Sequence, residues 1–388
     1  MKAQSCCLVS HTLQEGVGPA DANRLLAAEF AKRGWQVSVC GLNDPRISSP
    51  RADAIDVYGQ RVPALHIPQA IGWRERCAAL QEYLERQQPG HVIFRFIPYS
   101  LNPKGIVWAA ATSLPDALRG YPTVWLMDEI WLGEGPTTLR HRLVGRLQRY
   151  SILRMLDGVK PSHIFTNNGF NTSALRLRGV NAETLRLFGN IPVVAADGGA
   201  WLYQEFEKAG IPITSANRGQ WLVLGNFGLF HSDWKPDVFL GRLRDLAGRQ
   251  GRRVGIVGIG SLGSYEAHWR SVAGKWADDF TFHHLGRRED FEVSHFLQSV
   301  DLGITTNPYH LVGKSGTCMA MLDHGLPLLI PRISGDDDQA EFAAGQLIRC
   351  GEQVGDEIFS GRLKRHPEPQ LTRAADVLEA AMSGARKV

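Results

Sequence analysis

The sequence predicts an α/β protein built from two doubly wound, parallel-sheet halves. Three observations predict it. Apolar runs alternate with amphipathic helical stretches from Ala3 to Phe188, the pattern loosens into a Gly- and Pro-rich stretch over 189–220, and a second alternation runs from Trp221 to Pro331. A chain of 388 residues is also too long for one ordinary core.

The first half begins with Ala3–Ser10, an apolar run fit for a buried strand. The loop His11–Gly18 leads into a helix that Pro19 opens and Gly34 closes, and Trp35–Cys40 is the next strand. Strand, helix, strand at this spacing is a crossover unit of a parallel sheet. Helices are expected over 76–88, 107–118, 138–156 and 171–178, and strands over 91–97, 123–127, 162–166 and 184–188. In the helix from Thr138, Leu139, Leu143, Leu147 and Tyr150 are read as one side and Arg142, Arg146 and Arg149 as the other. The arginine side reads as a solvated helix face, with peripheral contact to an anionic membrane as the alternative.

The second half repeats the scheme. Strands are expected over 221–225, 253–257, 280–285, 302–306 and 328–331, and helices over 237–249, 265–276, 290–299 and 317–324. This gives a first domain over 1–200, a linker over 201–220 and a second domain over 221–388, with the last helix free to return to the first. Two such domains facing a central cleft would bind ligands at the carboxyl ends of their strands.

Composition narrows the class. Hydrophobic content of 44%, charged content of 21% and a net charge of +4 describe a soluble globular chain and not a nucleic-acid binder. The six cysteines show no metal-ligand spacing and read as reduced core residues in a cytoplasmic protein. MKAQSCCLVS reads as a strand, not a cleavable signal, and no apolar run approaches the roughly 18 residues of a membrane span.

The stretch 307–332, NPYHLVGKSGTCMAMLDHGLPLLIPR, carries the chemistry. A glycine-flanked turn at a helix start directs backbone N–H groups and partial positive charge at an anion, and Lys314, Ser315 and Thr317 add a charge and two hydroxyls. A polar helix cap is the plain alternative. In the first half, His11 ends the first strand, and Gly16 and Gly18 would let the backbone approach a ligand. Asp128 and Glu129 end the strand TVWLM, where they would either face substrate or cap the next turn. The run Asp336–Asp338 reads as a helix cap and not a metal site.

In layout, over roughly residues 3–332, the chain resembles nucleotide-sugar glycosyltransferases of the GT-B fold, and in particular glycosyltransferase family 4. EGVGPADANRLLAAEFAKRGWQVSVCG is similar to that family's glycine loop, first helix and second strand. WLVLGNFGLFHSDWKP resembles the strand opening the donor domain, RRVGIVGIGSLG with FTFHHLGRRED the next two strand ends, and VDLGITTNPYHLVGKSGTCMAMLDHGLPLLIP the donor-binding segment. The resemblance implies a metal-independent hexosyltransferase of carbohydrate biosynthesis, without a cofactor, that moves a sugar from a nucleotide-diphosphate sugar to an acceptor hydroxyl. Lys314, Ser315, Gly316 and Thr317 would hold the diphosphate, Lys235 would face it, Gly286 and Arg287 would hold base and ribose partly by backbone, and His310 would touch sugar or phosphate. Gly16 and Gly18 would border the acceptor, and His11, Asp128 or Glu129 would serve as general base if the reaction inverts. The two lysines are otherwise solvated loop charges, and His310 a structural loop histidine.

One departure stands out. The family usually carries two glutamates around the donor helix, and those places hold Val312 and Ala320. Two alternatives follow: a nucleotide-sugar epimerase of the same fold, or an NADP-dependent oxidoreductase using the G-x-G-x-x-G of Gly258–Gly263, with Arg287 and Arg288 suited to a 2′-phosphate.

Overall fold

The computed structural model describes residues 4–132, 138–332, 342–350, 355–361 and 363–384. The chain divides into two compact units, one of residues 1–186 with 371–388 and one of residues 187–370. The Asp336–Asp338 run lies outside the described residues.

The first unit runs β1 (Ser5–Ser10), α1 (Gly18–Lys32), β2 (Gln36–Asp44), β3 (Arg51–Val57), β4 (Gln60–Pro68), α2 (Trp73–Gln87), β5 (His91–Phe96), α3 (Pro98–Leu101), α4 (Trp108–Ala117), β6 (Thr123–Met127), α5 (Leu139–Val159), β7 (His163–Thr166), α6 (Gly169–Arg176) and β8 (Glu183–Thr184). Its eight strands pair in the order β3-β4-β2-β1-β5-β6-β7-β8, parallel except for β3 against β4. That hairpin is not foreseen from the sequence pattern. Tyr58 and Gly59 both take positive φ (51° and 79°), the geometry of a two-residue turn whose twist suits the flanking strands.

The second unit runs α7 (Ala200–Lys208), β9 (Trp221–Phe227), α8 (Asp237–Arg249), β10 (Arg253–Ile259), α9 (Glu266–Lys275), β11 (Thr281–His284), α10 (Asp290–Ser299), β12 (Leu302–Ile304), α11 (Gly316–Asp323), β13 (Leu328–Ile330) and β14 (Leu347–Arg349). Its sheet is parallel throughout, in the order β11-β10-β9-β12-β13-β14. Counted within the unit this is 3-2-1-4-5-6, the doubly wound order. Leu202 and Phe206 of α7 are buried in this unit's core. The last helix, α12 (Gln370–Met382), returns to the first unit, where Arg33 binds both Asp376 and Glu379.

The expected division of α5 into a leucine side and an arginine side is corrected. Its buried face is Gly145, Gln148, Ser151, Ile152, Met155 and Leu156, while Leu139, Leu143, Leu147 and Tyr150 are exposed on the same half of the helix as the arginines. The reason is that polar groups hold the buried face. Gln148 accepts from the Leu132 N–H (2.8 Å) and donates to Tyr99 Oη and the Lys104 carbonyl, and Ser151 Oγ accepts from the Val107 N–H. At Gly145 a Cβ would meet the Leu132 carbonyl oxygen at 3.2 Å, so this contact favours a residue without one. An apolar-periodicity rule cannot see a helix seated by glutamine, serine and glycine.

All six cysteines are buried and unpaired. Among the described residues no helix is long and apolar enough to cross a membrane.

Candidate functional site

In the second unit the strand order reverses between β9 and β12, the place where a doubly wound sheet leaves a crevice at its carboxyl end. Glycines finish the three strands on one side. Gly228, Gly260 and Gly286 follow β9, β10 and β11 with φ of 86°, 97° and 75°, a region that glycine enters without strain. They form a row, Gly228 N–H donating to the Ile259 carbonyl (2.9 Å) and Gly260 N–H to the Gly286 carbonyl (2.8 Å). Gly286 N–H in turn donates to His284 Nδ1 (3.2 Å).

The start of α11 closes the other side. Ser315 caps the helix, its Oγ accepting from the Cys318 N–H and lying 3.0 Å from Thr317 Oγ1. The backbone ladder begins with Met319 N–H on the Ser315 carbonyl, so the amides of Gly316 and Thr317 precede it. Asn307 Nδ2, at the end of the β12 segment, lies within hydrogen-bond distance of Ser315 Oγ (3.3 Å) and Thr305 Oγ1 (3.1 Å). Half-buried Lys314 ends the 3₁₀ turn Tyr309–Lys314 just before the cap. A Cβ on Gly228 would lie 3.1 Å from Thr317 Cγ2, so the first strand end meets the helix start directly.

Lys314, Ser315, Gly316 and Thr317 are therefore contiguous at a helix N-terminus on the crevice, with Gly286 on the opposite glycine row. The remaining candidates are more peripheral. Lys235 is exposed and donates to the Ser232 carbonyl of its own loop (3.0 Å), and Arg287 and His310 are exposed. Arg288 pairs with Glu205 of α7 at 2.8 Å, a structural tie.

Val312 and Ala320, where the resemblance calls for glutamates, are both 0% exposed. Gly189 packs on Ala320 so closely that a Cβ on it would sit 2.5 Å from the Ala320 Cα. The adjoining Asn190 reaches the helix start, its Oδ1 buried and unpartnered and 3.7 Å from where a Gly316 Cβ would stand. Asp323, at the far end of α11, binds this segment in place, Oδ2 accepting from the N–H groups of Gly189 (2.8 Å) and Gln370 (3.3 Å). Position 320 is thus fully buried with the Gly189 backbone packed against it.

The glycines of Gly258–Gly263 do not form a dinucleotide turn. Gly258 lies inside β10, where its bare Cα leaves room for the His284 ring (2.6 Å from a built Cβ). The chain then makes a 3₁₀ turn at Gly263–Tyr265, and α9 begins only at Glu266. A dinucleotide fingerprint needs the helix to start within the glycine turn, so that its N-terminus faces the pyrophosphate.

In the first unit the order reverses between β1 and β5. His11 follows β1, half-buried, with Nδ1 buried and unpartnered. Burial lowers its pKa, which keeps the ring neutral near pH 7; Asp128 opposes that shift and Arg95 adds to it. Asp128 follows β6, and both its oxygens accept from Arg95 Nη1 (3.0 and 2.9 Å). Arg95 is 4% exposed, inside β5, and also donates to Asn23 Oδ1 of α1 (2.8 Å). His11 and Asp128 are thus brought together around a cation that sequence reading passes over, although an arginine in the middle of HVIFRF is itself a signal. Glu129 is half-buried beside them in sequence. Gly16 takes φ of 76° and donates to Asp21 Oδ1 (3.0 Å), and Gly18 opens α1.

Neither a protein-family model nor a curated protein matches this chain. Solved structures do. The catalytic domain of starch synthase IV from Arabidopsis thaliana, bound to ADP and acarbose, is 11% identical and superposes with a TM-score of 0.56 over 98% of this chain and 99% of that one. HepE from Anabaena, in complex with UDP and glucose, is 13% identical with a TM-score of 0.53 over 98% and 95%. The fold is GT-B. A putative UDP-N-acetylglucosamine 2-epimerase from Listeria monocytogenes is equally similar, at 12% identity and a TM-score of 0.55 over 98% and 96%. At these identities the likeness establishes the GT-B architecture of two parallel-sheet domains and leaves the chemistry to the residues.

Proposed function

We propose that this GT-B protein is a glycosyltransferase, related to family 4, that moves a hexosyl group from a nucleotide-diphosphate sugar to an acceptor hydroxyl. One observation carries the reading: the start of α11, with Lys314, Ser315 and Thr317, stands at the strand-order reversal of the second unit, facing a row of strand-end glycines. Breaking a glycosyl phosphate bond puts negative charge on the departing diphosphate. Helix-start amides and a lysine ammonium, fixed before the reaction, stabilise that charge. The bare glycine backbone at 228, 260 and 286 gives a flat base and ribose room to lie close.

In this reading the second unit binds the donor and the first the acceptor, where neutral His11 takes the acceptor proton if the reaction inverts. Asp128, held by Arg95, is suited to orienting the acceptor and not to accepting a proton. The reading includes a metal-independent, cytoplasmic enzyme of carbohydrate biosynthesis with peripheral membrane contact. The test is a thermal-shift panel of UDP-, GDP-, ADP- and dTDP-sugars beside NADPH. One sugar nucleotide should raise the melting temperature of the native protein and of Lys235→Ala, and much less that of Lys314→Ala. Stabilisation by NADPH alone, or no effect of Lys314→Ala, would overturn it.

The closed position at Ala320 and the Listeria neighbour favour a second reading, a nucleotide-sugar epimerase. Product analysis with and without acceptor separates the two, since an epimerase converts its sugar nucleotide alone.

A further inference from the structure

We propose that the exposed face of α5 docks on an anionic lipid surface. This deepens the peripheral contact proposed above and rests on that part of the reading alone. The helix has 21 residues and is about 30 Å long. Leu139, Leu143, Leu147 and Tyr150 recur along it at helical spacing and are 80%, 60%, 39% and 61% exposed, an apolar stripe turned to solvent. Isolated surface leucines need no explanation, but a continuous row of them does. Trp108 of α4, itself 38% exposed, packs on Tyr150 with ring centroids 5.1 Å apart. A tryptophan and tyrosine side by side extend the stripe with the side chains favoured where water meets lipid.

Charge selects the occupant. The helix carries five arginines against one acid, Asp157. At 3.6 residues per turn, Arg142 and Arg146 fall along one flank of the stripe and Arg140 along the other, while Arg154 ends the stripe one turn beyond Tyr150. All four are exposed. Leucines bordered by arginines on both sides match a membrane interface, where the apolar chains enter the acyl boundary and the guanidinium groups meet phosphate. A second copy of the chain on the same face would set arginine against arginine, which disfavours self-pairing. Leucine packing cannot be the structural role of this row, because α5 is seated by its opposite face through Gln148 and Ser151.

The experiment is co-sedimentation of the full chain with vesicles of phosphatidylcholine alone and of phosphatidylcholine with phosphatidylglycerol. The native protein should pellet with the anionic vesicles, less so as salt rises, and stay in solution with the neutral ones. Leu143→Glu with Leu147→Glu, and separately Arg142→Gln with Arg146→Gln, should each cut binding about tenfold or more. Because these positions are exposed, both variants should keep the native melting temperature and its rise with sugar nucleotide. Loss of vesicle binding with that rise intact supports the surface and leaves the donor site standing; loss of the rise alone speaks against the donor site only. The proposal is overturned if the native protein ignores anionic vesicles, if either variant binds them as well as the native chain, or if the native chain is a dimer that the leucine variant makes monomeric.

Discussion

Placing a glutamate at Ala320 tests whether packing at α11 leaves room for the carboxylate that the resemblance calls for there. Ala320 is 0% exposed, and Gly189 approaches it so closely that even a methyl on that glycine would lie 2.5 Å from the Ala320 Cα and 2.9 Å from its nitrogen. The Gly189 backbone therefore lies directly against residue 320, and backbone cannot turn aside as a side-chain tip would. Overpacking a core costs about 1–3 kcal/mol, and an ion buried without a partner several more, so about 5 kcal/mol is expected for Ala320→Glu. At about 2–4 °C per kcal/mol for a domain of this size, the transition containing the second unit should fall by about 10–20 °C. Ala320→Gln separates the contributions, since it keeps the bulk and removes the charge, and should recover part of the loss. Differential scanning calorimetry with and without sugar nucleotide is the assay. A glutamate variant that melts within about 2 °C of the native protein and binds sugar nucleotide more tightly would refute the reasoning, because it would show room for the carboxylate at that position.

Two further predictions concern titratable groups. His324 is 1% exposed, its Nδ1 2.6 Å from the Ala320 carbonyl and its Nε2 2.8 Å from Ser294 Oγ, and burial holds its pKa down at about 4. Because the unfolded chain protonates first, stability should be unaffected above about pH 6.5 and fall by about 3 kcal/mol as the pH drops from there to 4, then level off; His324→Gln should flatten that part of a melting-temperature profile, and an unchanged slope would count against this assignment. Removing Arg95 should act twice: Arg95→Met leaves Asp128 without its partner, costing about 3 kcal/mol, and raises the His11 pKa, so the acid limb of the pH–rate profile should move to higher pH. If stability falls and the limb stays in place, His11 is not the base.

Much of this architecture is legible from pattern alone, because each strand of a parallel sheet covered on both faces is a short continuous apolar run bounded by turn residues. WLVLG, RVGIVGI and DLGITT declare themselves in that way, and their order places Lys314 in the turn that follows a strand end. What pattern cannot supply is the partner of a residue distant in sequence. The hairpin at Tyr58–Gly59 escapes it because Arg51–Val57 is mostly exposed and lacks an apolar run. The role of Arg95 depends on Asp128 and Asn23, contributed by two other elements.

The glycines show why a motif needs its backbone. Gly258, Gly260 and Gly263 satisfy the dinucleotide spacing as letters, yet they do three different things. Gly258 admits the His284 ring, Gly260 joins the hydrogen-bonded row of strand ends, and Gly263 begins a 3₁₀ turn. Only the second of these roles bears on a ligand, and it is shared with Gly228 and Gly286, which no spacing rule groups with it. The same three-residue row bears on why α11, and not α9, is the helix proposed as the phosphate seat. Gly228 brings the end of β9 against Thr317, while the helix following β10 starts several residues late, so the helix-start amides next to this crevice are those of the helix after β12, where an anion would be favoured.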